Sequence, residues 1–379
     1  MVIARTFMRG RRWQRRSSSF LLHACAVKAQ ASPTKTMGIG LWFAAEAAKE
    51  LSESTEKLAE VANWLSKEGL LPFTLNGFPY GNFHQEVVKH QVYLPVWGDS
   101  RRTEYTCRLA DILHKLLPAG EVGSISTLPI AWGTPELSEG EWQAAAREFA
   151  VVAKHLHQLE QETGRLIHVC IEPEPGCALD TAEDLVGFFQ KYLFQAAPEA
   201  IVRRHLRICH DVCHSMVMFE EQAHALKAYH AAGIDVGKVQ VSSAVMLKLD
   251  ELAPSERKLA LEQLSKFVEP RYLHQTVVRQ DGKTHFFEDL PLALEALGST
   301  ERGEWRVHFH VPIYLEKFGY VQTSRPQILE CLEWAKRLTT CTHFEAETYA
   351  WGVLPPSLHQ PTLAHGIAEE MKWLTALQS

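Results

Sequence analysis

Hydrophobic and polar positions alternate between strand-like and helix-like patterns from about residue 38 onward. Short apolar runs end in Gly, Pro or polar clusters, and segments with apolar residues at helical spacing follow them. Several runs lack the alternation of a half-exposed strand, as strands buried on both faces do. The runs that predict strands are residues 39–44, 72–76, 123–130, 166–171, 205–209, 238–242, 305–312 and 343–349.

The helices between these strands have clear start and stop signals. Ser138 and Glu141 form a capping box, and Gly164 ends the apolar helical repeat that follows it. Thr181 and Asp184 open another helix in the same way. The dipeptide Asp281-Gly282, between two strand-like runs, predicts a hairpin. Further helices are predicted over residues 55–67, 102–117, 216–232, 255–267, 326–337 and 363–377.

Repeated strand–helix units favour parallel strands, in a barrel or in a doubly wound sheet. The glycine signatures GxGxxG and GxxxxGK[ST] follow none of these strands, whereas ionisable residues follow the ends of several. Barrel enzymes build their active sites at those ends. We therefore predict one α/β domain over residues 27–379, a single (β/α)8 TIM barrel.

The composition is that of a globular protein, with 46% hydrophobic and 22% charged residues. No apolar run approaches the ~18–20 residues of a transmembrane helix, so stable membrane insertion is not expected. The eight cysteines include no CxxC pair, which favours free thiols in a reducing cytoplasm. The sequence therefore predicts a cytoplasmic protein.

The charge of −6 is unevenly distributed. Residues 1–45 hold eight Lys and Arg and no acidic residue. The rest of the chain therefore holds 31 basic and 45 acidic residues, a net charge of −14. An acidic body repels phosphate backbones, so nucleic acid is not the expected partner.

Residues 1–26 are unlike the rest of the chain. Six arginines precede a short apolar stretch that ends in Ala24-Cys25-Ala26, as in a targeting segment. If the codons of residues 4–11 are read one base earlier, the genetic code allows them to encode Cys-Thr-Asn-Ile-His-Ala-Gly-Glu. Two interpretations stay open: a targeting segment, or a frame-shifted translation that regains its frame near Val27.

Two strand ends carry neighbouring acid–base side chains. Residues 166–171 lead into Glu172 and Glu174, which prolines hold in a fixed direction and which suit metal binding or acid–base work. The alternative is a rigid acidic loop. Residues 205–209 lead into Asp211 and His214, which can bind one ion as the chain turns into a helix. The alternative is a helix cap, and Cys213 is expected to pack.

Two further segments repeat ionisable residues at a spacing of two. His308 and His310 would share one face of strand 305–312, as metal ligands or as solvent-facing side chains of an edge strand. Glu345 and Glu347 would share a face of the last strand. Carboxylates combined with imidazoles suit a divalent metal, Zn²⁺ or Mn²⁺, better than Ca²⁺.

Lys238 and Gln240 share one face of strand 238–242. A buried lysine needs a partner or a function, so Lys238 is a candidate base, anion binder or salt-bridge partner of a barrel carboxylate. Polar residues near the same mouth are expected to line a substrate pocket together with Glu174 and Glu345. They are His274, Asn76, Tyr80 and His84.

Glu-x-x-x-Gly at 172–176, Asp-x-Cys-His at 211–214 and Glu-Thr at 347–348 resemble the xylose-isomerase-like TIM barrels. That superfamily includes sugar isomerases, epimerases and endonuclease IV-type nucleases. The chain departs from it at Gln240, where a strand-end His is usual, and at His308, where the nucleases have Asp. The resemblance implies Glu172, Asp211, His214 and Glu347 as core metal ligands, with His308 and His310 matching an Asp-x-His pair of the nucleases. Gln240, at the position of the usual His, is a further candidate ligand.

Longer stretches are similar to one family, the EboE metabolite traffic proteins, from about Val27 to near the C-terminus. They are NGFPYGNFH (76–84), GSISTL (123–128), EPEPGC (172–177), DVCH (211–214), KVQVSS (238–243), YLHQ (272–275), WRVHFHVP (305–312) and ETYAWGVL (347–354). Family members begin with a strand resembling Cys-Thr-Asn-Ile-His-Pro-Gly-Glu. The resemblance therefore favours the frame shift and implies a corrupted or missing first strand.

The same resemblance implies a role in secondary metabolism and precursor export, alongside membrane-bound partners of the same gene cluster. The leading hypothesis is a metal-dependent isomerase or epimerase of a small polyhydroxylated or carbonyl metabolite, in which Glu172, Glu347 or Lys238 moves a proton. The alternatives are a metal-dependent phosphodiesterase or hydrolase, which His308 and His310 favour, and a non-catalytic metabolite carrier or scaffold, which Gln240 favours. Substrate identity and oligomeric state stay open.

Overall fold

The computed structural model describes residues 6–7, 23–81, 83, 86–352 and 354–377, with side chains for all of these except residues 6, 7, 349 and 350. Its strands form two sheets. The strands are β1 (Thr6–Phe7), β2 (Met37–Trp42), β3 (Leu70–Asn76), β4 (Gly123–Thr127), β5 (Ile167–Ile171), β6 (Leu206–Asp211), β7 (Val236–Val241), β8 (Val245–Lys248), β9 (Thr276–Gln280), β10 (Lys283–Phe287), β11 (Glu304–Val307), β12 (Lys317–Phe318), β13 (Val321–Thr323) and β14 (Phe344–Ala346).

Helices connect most of the strands. They are α1 (23–31), α2 (Ala45–Ser52), α3 (Thr55–Lys67), α4 (Ser100–Leu116), α5 (Glu139–Thr163), α6 (Ala182–Phe188), α7 (Phe194–Ala196), α8 (Glu199–His205), α9 (Val212–Val217), α10 (Gln222–Ala231), α11 (Pro254–Leu264), α12 (Leu290–Leu297), α13 (Arg325–Leu338) and α14 (Leu363–Ala376). Among the helices of the described ranges, none is both long and apolar enough to cross a bilayer.

The larger sheet is parallel throughout, in the order β1 to β7 followed by β14. Each strand lies beside its predecessor, and helices return the chain between them, which is the connectivity of a (β/α) barrel. Strands β4, β5 and β7 are buried along their whole length, as the near-continuous apolar runs predicted. The predicted barrel fold is confirmed.

The first strand is very short. Thr6 and Phe7 pair with Leu41 and Trp42 of β2, and within the described residues β1 and β14 are the two edges of the sheet. The barrel is therefore nearly closed, in agreement with a defective first strand. The other residues on which the targeting and frame-shift interpretations depend, 1–5 and 8–22, lie outside the described part of the chain.

The second sheet is antiparallel, in the order β10-β9-β11-β8-β13-β12, and is inserted between the last two barrel strands. It packs on α11 and α12 through its own apolar cluster, which includes Phe267, Trp305 and Phe309. The predicted hairpin is confirmed, with Asp281 at φ 50° and Gly282 at φ 74° in its turn.

The predicted barrel strand 305–312 is wrong in its sheet and in its length. Residues Glu304–Val307 form β11 of the antiparallel sheet, and His308 to Val311 continue beyond the strand end. A strand that packs one face on any core has the same alternation, so the pattern did not distinguish the two sheets. The alternation itself holds, because Val307, Phe309 and Val311 are buried in the second cluster.

The helix boundaries are mostly as predicted. The capping boxes at Ser138 and Thr181 are present, and Gly164 ends α5 at φ 70°. The predicted helix over residues 216–232 is wrong, because α9 and α10 are separate helices. Phe219, between them, has a φ of 62°, which the α-helix does not allow.

Candidate metal centre

A small cavity of about 60 Å³ opens where the barrel strands end. Glu172 directly follows β5, His214 lies in the first turn of α9 after β6, and Glu347 directly follows β14. His308 and His310 reach the same cavity from the end of β11. The structure therefore brings five of the predicted site residues to one cavity, three from the barrel sheet and two from the antiparallel sheet.

Three overlapping groups of ligand atoms meet here. In each group, the atoms lie within 4.8 Å of one another. The groups are Glu172, Asp211 and Glu347; Asp211, His214 and His310; and Cys213, His308 and His310. Burial raises the pKa of the Cys213 thiol well above its usual value, which is consistent with the packing role expected for it.

The three histidines are oriented through the same ring nitrogen. Nδ1 of His214 lies 2.8 Å from the Pro173 carbonyl, Nδ1 of His310 lies 2.8 Å from the Glu347 carbonyl, and Nδ1 of His308 lies 2.8 Å from Gln275 Oε1. Each acceptor assigns the proton to Nδ1, so each ring presents Nε2 as a ligand atom. Metal-binding histidines are held in this way.

The Nε2 atoms of His214 and His308 lie 3.2 Å apart. With both Nδ1 atoms protonated, the two Nε2 lone pairs face each other at this distance, and a positive charge between them, either a proton or a metal ion, relieves their repulsion. Two nitrogens that each lie about 2.0–2.1 Å from a tetrahedral zinc are about 3.3 Å apart. The spacing therefore fits a shared metal ion.

Asp211 and Gln240 add buried polar atoms beneath the histidines. Asp211 Oδ1 accepts hydrogen bonds from Ser242 Oγ at 2.6 Å and from the His214 amide, whereas Oδ2 has no hydrogen-bond partner among the described residues. Gln240 is paired in register with Asp211, and neither of its amide atoms has such a partner there. Buried amide atoms without partners cost about 1–3 kcal/mol each. The residues present thus fit a bound cation.

The acidic groups favour positive charge in this region. Burial alone would lower the pKa of His214, but the carboxylates of Asp211, Glu174 and Glu172 raise it on balance. Burial alone would raise the pKa of Asp211, but His214 and His310 lower it on balance. A field that holds a proton on His214 would also hold a metal cation in its place.

Glu174 orients one of the histidines indirectly. Its Oε1 accepts hydrogen bonds from Tyr93 Oη at 2.7 Å and from Gln275 Nε2 at 2.9 Å, and Gln275 in turn accepts from His308. Burial raises the pKa of Glu174. Tyr93 and Gln275 were not predicted as site residues. Gln275 was noted only in a stretch similar to one family, and no local pattern marks Tyr93.

Aromatic side chains cover the cavity. Phe83 stacks on Tyr272 with ring centroids 4.9 Å apart, and Phe78 and Tyr93 complete this surface. Lys89 is the one lysine or arginine among the described residues that line the cavity, and its Nζ lies 2.6 Å from Asp289 Oδ2. The cavity therefore combines an acidic, imidazole-rich floor with an apolar cover.

Other residues predicted at the site lie elsewhere. Lys238 and Glu345 form a buried ion pair inside the barrel and do not line the cavity. His274 lies behind it, between the His308 carbonyl and Glu269. Asn76 accepts a hydrogen bond from the Phe78 amide, and Tyr80 lines a neighbouring groove. His84 lies outside the described residues.

No protein-family model and no curated protein sequence matches this chain. Among solved structures, a xylose isomerase-like TIM barrel protein from Mycobacterium smegmatis in complex with magnesium superposes with a TM-score of 0.54 at 12% identity, over 99% of this chain and 95% of that one. L-ribulose 3-epimerase superposes with a TM-score of 0.50 at 12% identity, over 100% and 94%. Identity this low establishes the fold alone, and that fold is a TIM barrel.

Proposed function

We propose that this protein is a divalent-metal-dependent isomerase or epimerase that acts on a small polyhydroxylated or carbonyl metabolite. The observation that carries the proposal is the 3.2 Å approach of His214 Nε2 to His308 Nε2 beside Glu172 and Glu347 in one cavity. Such a set of imidazoles and carboxylates suits Zn²⁺ or Mn²⁺.

The proposed ligands lie on strand ends or directly after them. They are Glu172, Asp211, His214, His310 and Glu347, with Gln240 and His308 as further donors. A divalent cation bound there would polarise a carbonyl group and hold two neighbouring substrate oxygens.

Isomerisation needs a base that takes a proton from one carbon and returns it to the neighbouring carbon or to the opposite face. Glu172 and Glu347 line the cavity, so we assign the proton transfer to a carboxylate oxygen of one or both. Lys238 receives no such role, because its ammonium group is 2.5 Å from Glu345 and both lie outside the cavity lining.

The cover of the cavity defines the kind of substrate. Phe78, Phe83 and Tyr272 add apolar surface to a lining that also holds carboxylates and imidazoles. Aromatic faces suit the C–H surface of a polyhydroxylated metabolite, while the polar groups below suit its oxygens.

Two other functions compete with this one. A metal-dependent hydrolase is favoured by His308 and His310, which together with His214 bring three imidazoles to one cavity. A metabolite carrier is favoured by the family resemblance, which implies metabolite traffic and precursor export from the cytoplasm with membrane-bound partners. The three functions differ in turnover.

The test is metal content and proton exchange in the full chain. We expect at least one equivalent of zinc, manganese or iron by elemental analysis, and one equivalent fewer in a His214→Ala, Glu347→Ala variant. The exposed pair His224 and Glu183, changed to His224→Ala and Glu183→Ala, is the matched control and should retain the metal.

Aldoses and ketoses are then incubated with the loaded protein in deuterium oxide and followed by NMR. Deuterium on the carbon beside the carbonyl supports the isomerase. Cleavage of phosphodiesters without exchange supports the hydrolase, and metal-dependent binding without either reaction supports the carrier. Protein that neither contains nor takes up metal would overturn the metal-dependent enzyme.

A further inference from the structure

A second group of metal-ligating side chains lies at the opposite end of the barrel. His157 and Glu160 are on α5, and His205 is the last residue of α8, just before β6 begins. One ligand atom from each lies within 4.8 Å of the others. We propose that these three residues form a second transition-metal site, for zinc or a similar ion, that ties α5 to the start of β6.

The spacing on α5 brings the first two ligands together. Residues three apart on an α-helix lie on the same face, so His157 and Glu160 point towards the same neighbour. That neighbour is His205, whose ring lies 5.7 Å from the His157 ring. Two imidazoles and one carboxylate are a common zinc-ligand set, with the fourth position left for water.

His205 is oriented as a ligand. Its side chain is fully buried, and its Nδ1 lies 3.1 Å from the carbonyl of Ile167, the first residue of β5. The proton therefore belongs on Nδ1 and the lone pair on Nε2. Within the described chain, His205 Nε2 and His157 Nδ1 have no hydrogen-bond partner.

The buried His205 nitrogen faces an anion at the distance expected for two ligands of one ion. His205 Nε2 lies 3.4 Å from Glu160 Oε2, and two ligands of a tetrahedral zinc are about 3.3 Å apart. A lone pair beside a carboxylate is unfavourable without a positive charge between them.

Arg204 does not block the site. Its guanidinium forms a two-point ion pair with Glu160, with Arg204 Nε 2.6 Å from Oε2. A carboxylate offers about four lone-pair directions, so it can accept from Arg204 and bind an ion. Glu160 is partly exposed, which leaves a route for the ion from solvent.

The site is independent of the cavity described above. It lies at the amino ends of β5 and β6, whereas the cavity lies at their carboxyl ends. Residues at the amino-terminal face of a TIM barrel serve stability. An ion here would therefore stabilise the fold and would not take part in turnover.

The experiment uses the full chain with His214→Ala and His310→Ala, which remove two proposed ligands of the cavity. Zinc bound after equilibrium dialysis is measured by elemental analysis, with and without His157→Ala. His155→Ala, on the same helix but bonded to Asp111, is the matched control. We expect one zinc per chain in the parent and in the His155 control, and affinity more than about 100-fold weaker with His157→Ala.

A second measurement does not depend on the cavity variants. Zinc should raise the midpoint of thermal unfolding of the unmodified chain and of His155→Ala, and raise it less in His157→Ala. Zinc binding that is the same with and without His157, or no zinc in the cavity variant, would overturn the second site. Either result leaves the cavity's metal content, tested separately by Glu347 and His214, unaffected.

Discussion

Lys238 Nζ lies 2.5 Å from Glu345 Oε2 inside the barrel, where both side chains are almost completely buried. The two residues are on the neighbouring strands β7 and β14. Gln240 follows Lys238 by two residues, so it faces the same interior one layer closer to the cavity. The ion pair therefore supports the layer on which the candidate metal centre is built.

Removing one member of this pair should destabilise the protein strongly. Lys238→Met leaves the Glu345 carboxylate buried without its partner, and we expect the free energy of unfolding to fall by about 3–5 kcal/mol. In Lys238→Met with Glu345→Gln, no charge remains, and part of that loss should be recovered. Urea denaturation followed by circular dichroism measures both.

Lys248 provides the control, because its ion pair with Glu251 is exposed. Lys248→Met should change the free energy of unfolding by less than about 1 kcal/mol. Equal losses for Lys238→Met and for the double variant would contradict a stabilising ion pair inside the barrel.

Gly40 makes room for the same carboxylate. A Cβ atom at this position would lie 1.7 Å from Glu345 Oε1, and Glu345 cannot swing away without leaving Lys238. We expect Gly40→Ala to cost about 1–3 kcal/mol, as overpacking of a core does. Gly187, on α6, faces open space, so Gly187→Ala should be neutral or stabilise by up to about 1 kcal/mol. A harmless Gly40→Ala would show that the carboxylate relocates.

Sequence pattern was sufficient for the parts of the site that are local. Glu172, His214 and Glu347 follow buried apolar runs, and parallel strands bring their carboxyl ends to one face. His308 and His310 were predicted to share a face, and they line the same cavity.

Sequence pattern could not predict the parts of the fold and the site that depend on contacts between distant residues. Alternation does not reveal which sheet a strand joins, so β11 was assigned to the barrel. The pattern around Lys238 fits a base, an anion binder or a salt-bridge partner equally well, because its partner Glu345 is more than a hundred residues away in the sequence. Gln275 contacts Glu174 from a loop and Tyr93 contacts it from a short 3-10 helix, and neither segment carries a periodic signal.

Gln275 should control metal affinity without binding the metal. Gln275→Leu removes the acceptor that holds His308 Nδ1 at 2.8 Å, so the ring loses its fixed orientation. We expect zinc affinity, measured by competition with a chromophoric chelator, to fall about 10–100-fold. Gln263→Leu, on α11 and bonded to the backbone of Phe318 and Tyr320, is the matched control and should bind zinc normally. Unchanged affinity in Gln275→Leu would mean that His308 is not a ligand.

Glu220 should make stability depend on pH. Burial raises the pKa of Glu220 to about 7, and the nearby Asp184 adds to the effect. The folded protein then keeps a proton that the unfolded chain releases above its ordinary pKa of 4.5. This contribution to stability is complete below pH 4.5 and is lost as the pH rises through about 7, on the order of 3 kcal/mol in total.

Glu220→Gln should remove this part of the pH dependence while its amide oxygen still accepts from the Ala182 amide, as Glu220 Oε1 does at 2.9 Å. Urea denaturation at pH 4.5, 5.5, 6.5 and 7.5 measures the slope. Some slope should persist, because burial and Asp184 raise the pKa of Asp180 to about 7 as well. Glu333→Gln, at an exposed ion pair, should behave as the unmodified chain does. A slope that is just as steep in Glu220→Gln would assign the whole effect to other carboxyl groups, Asp180 first among them.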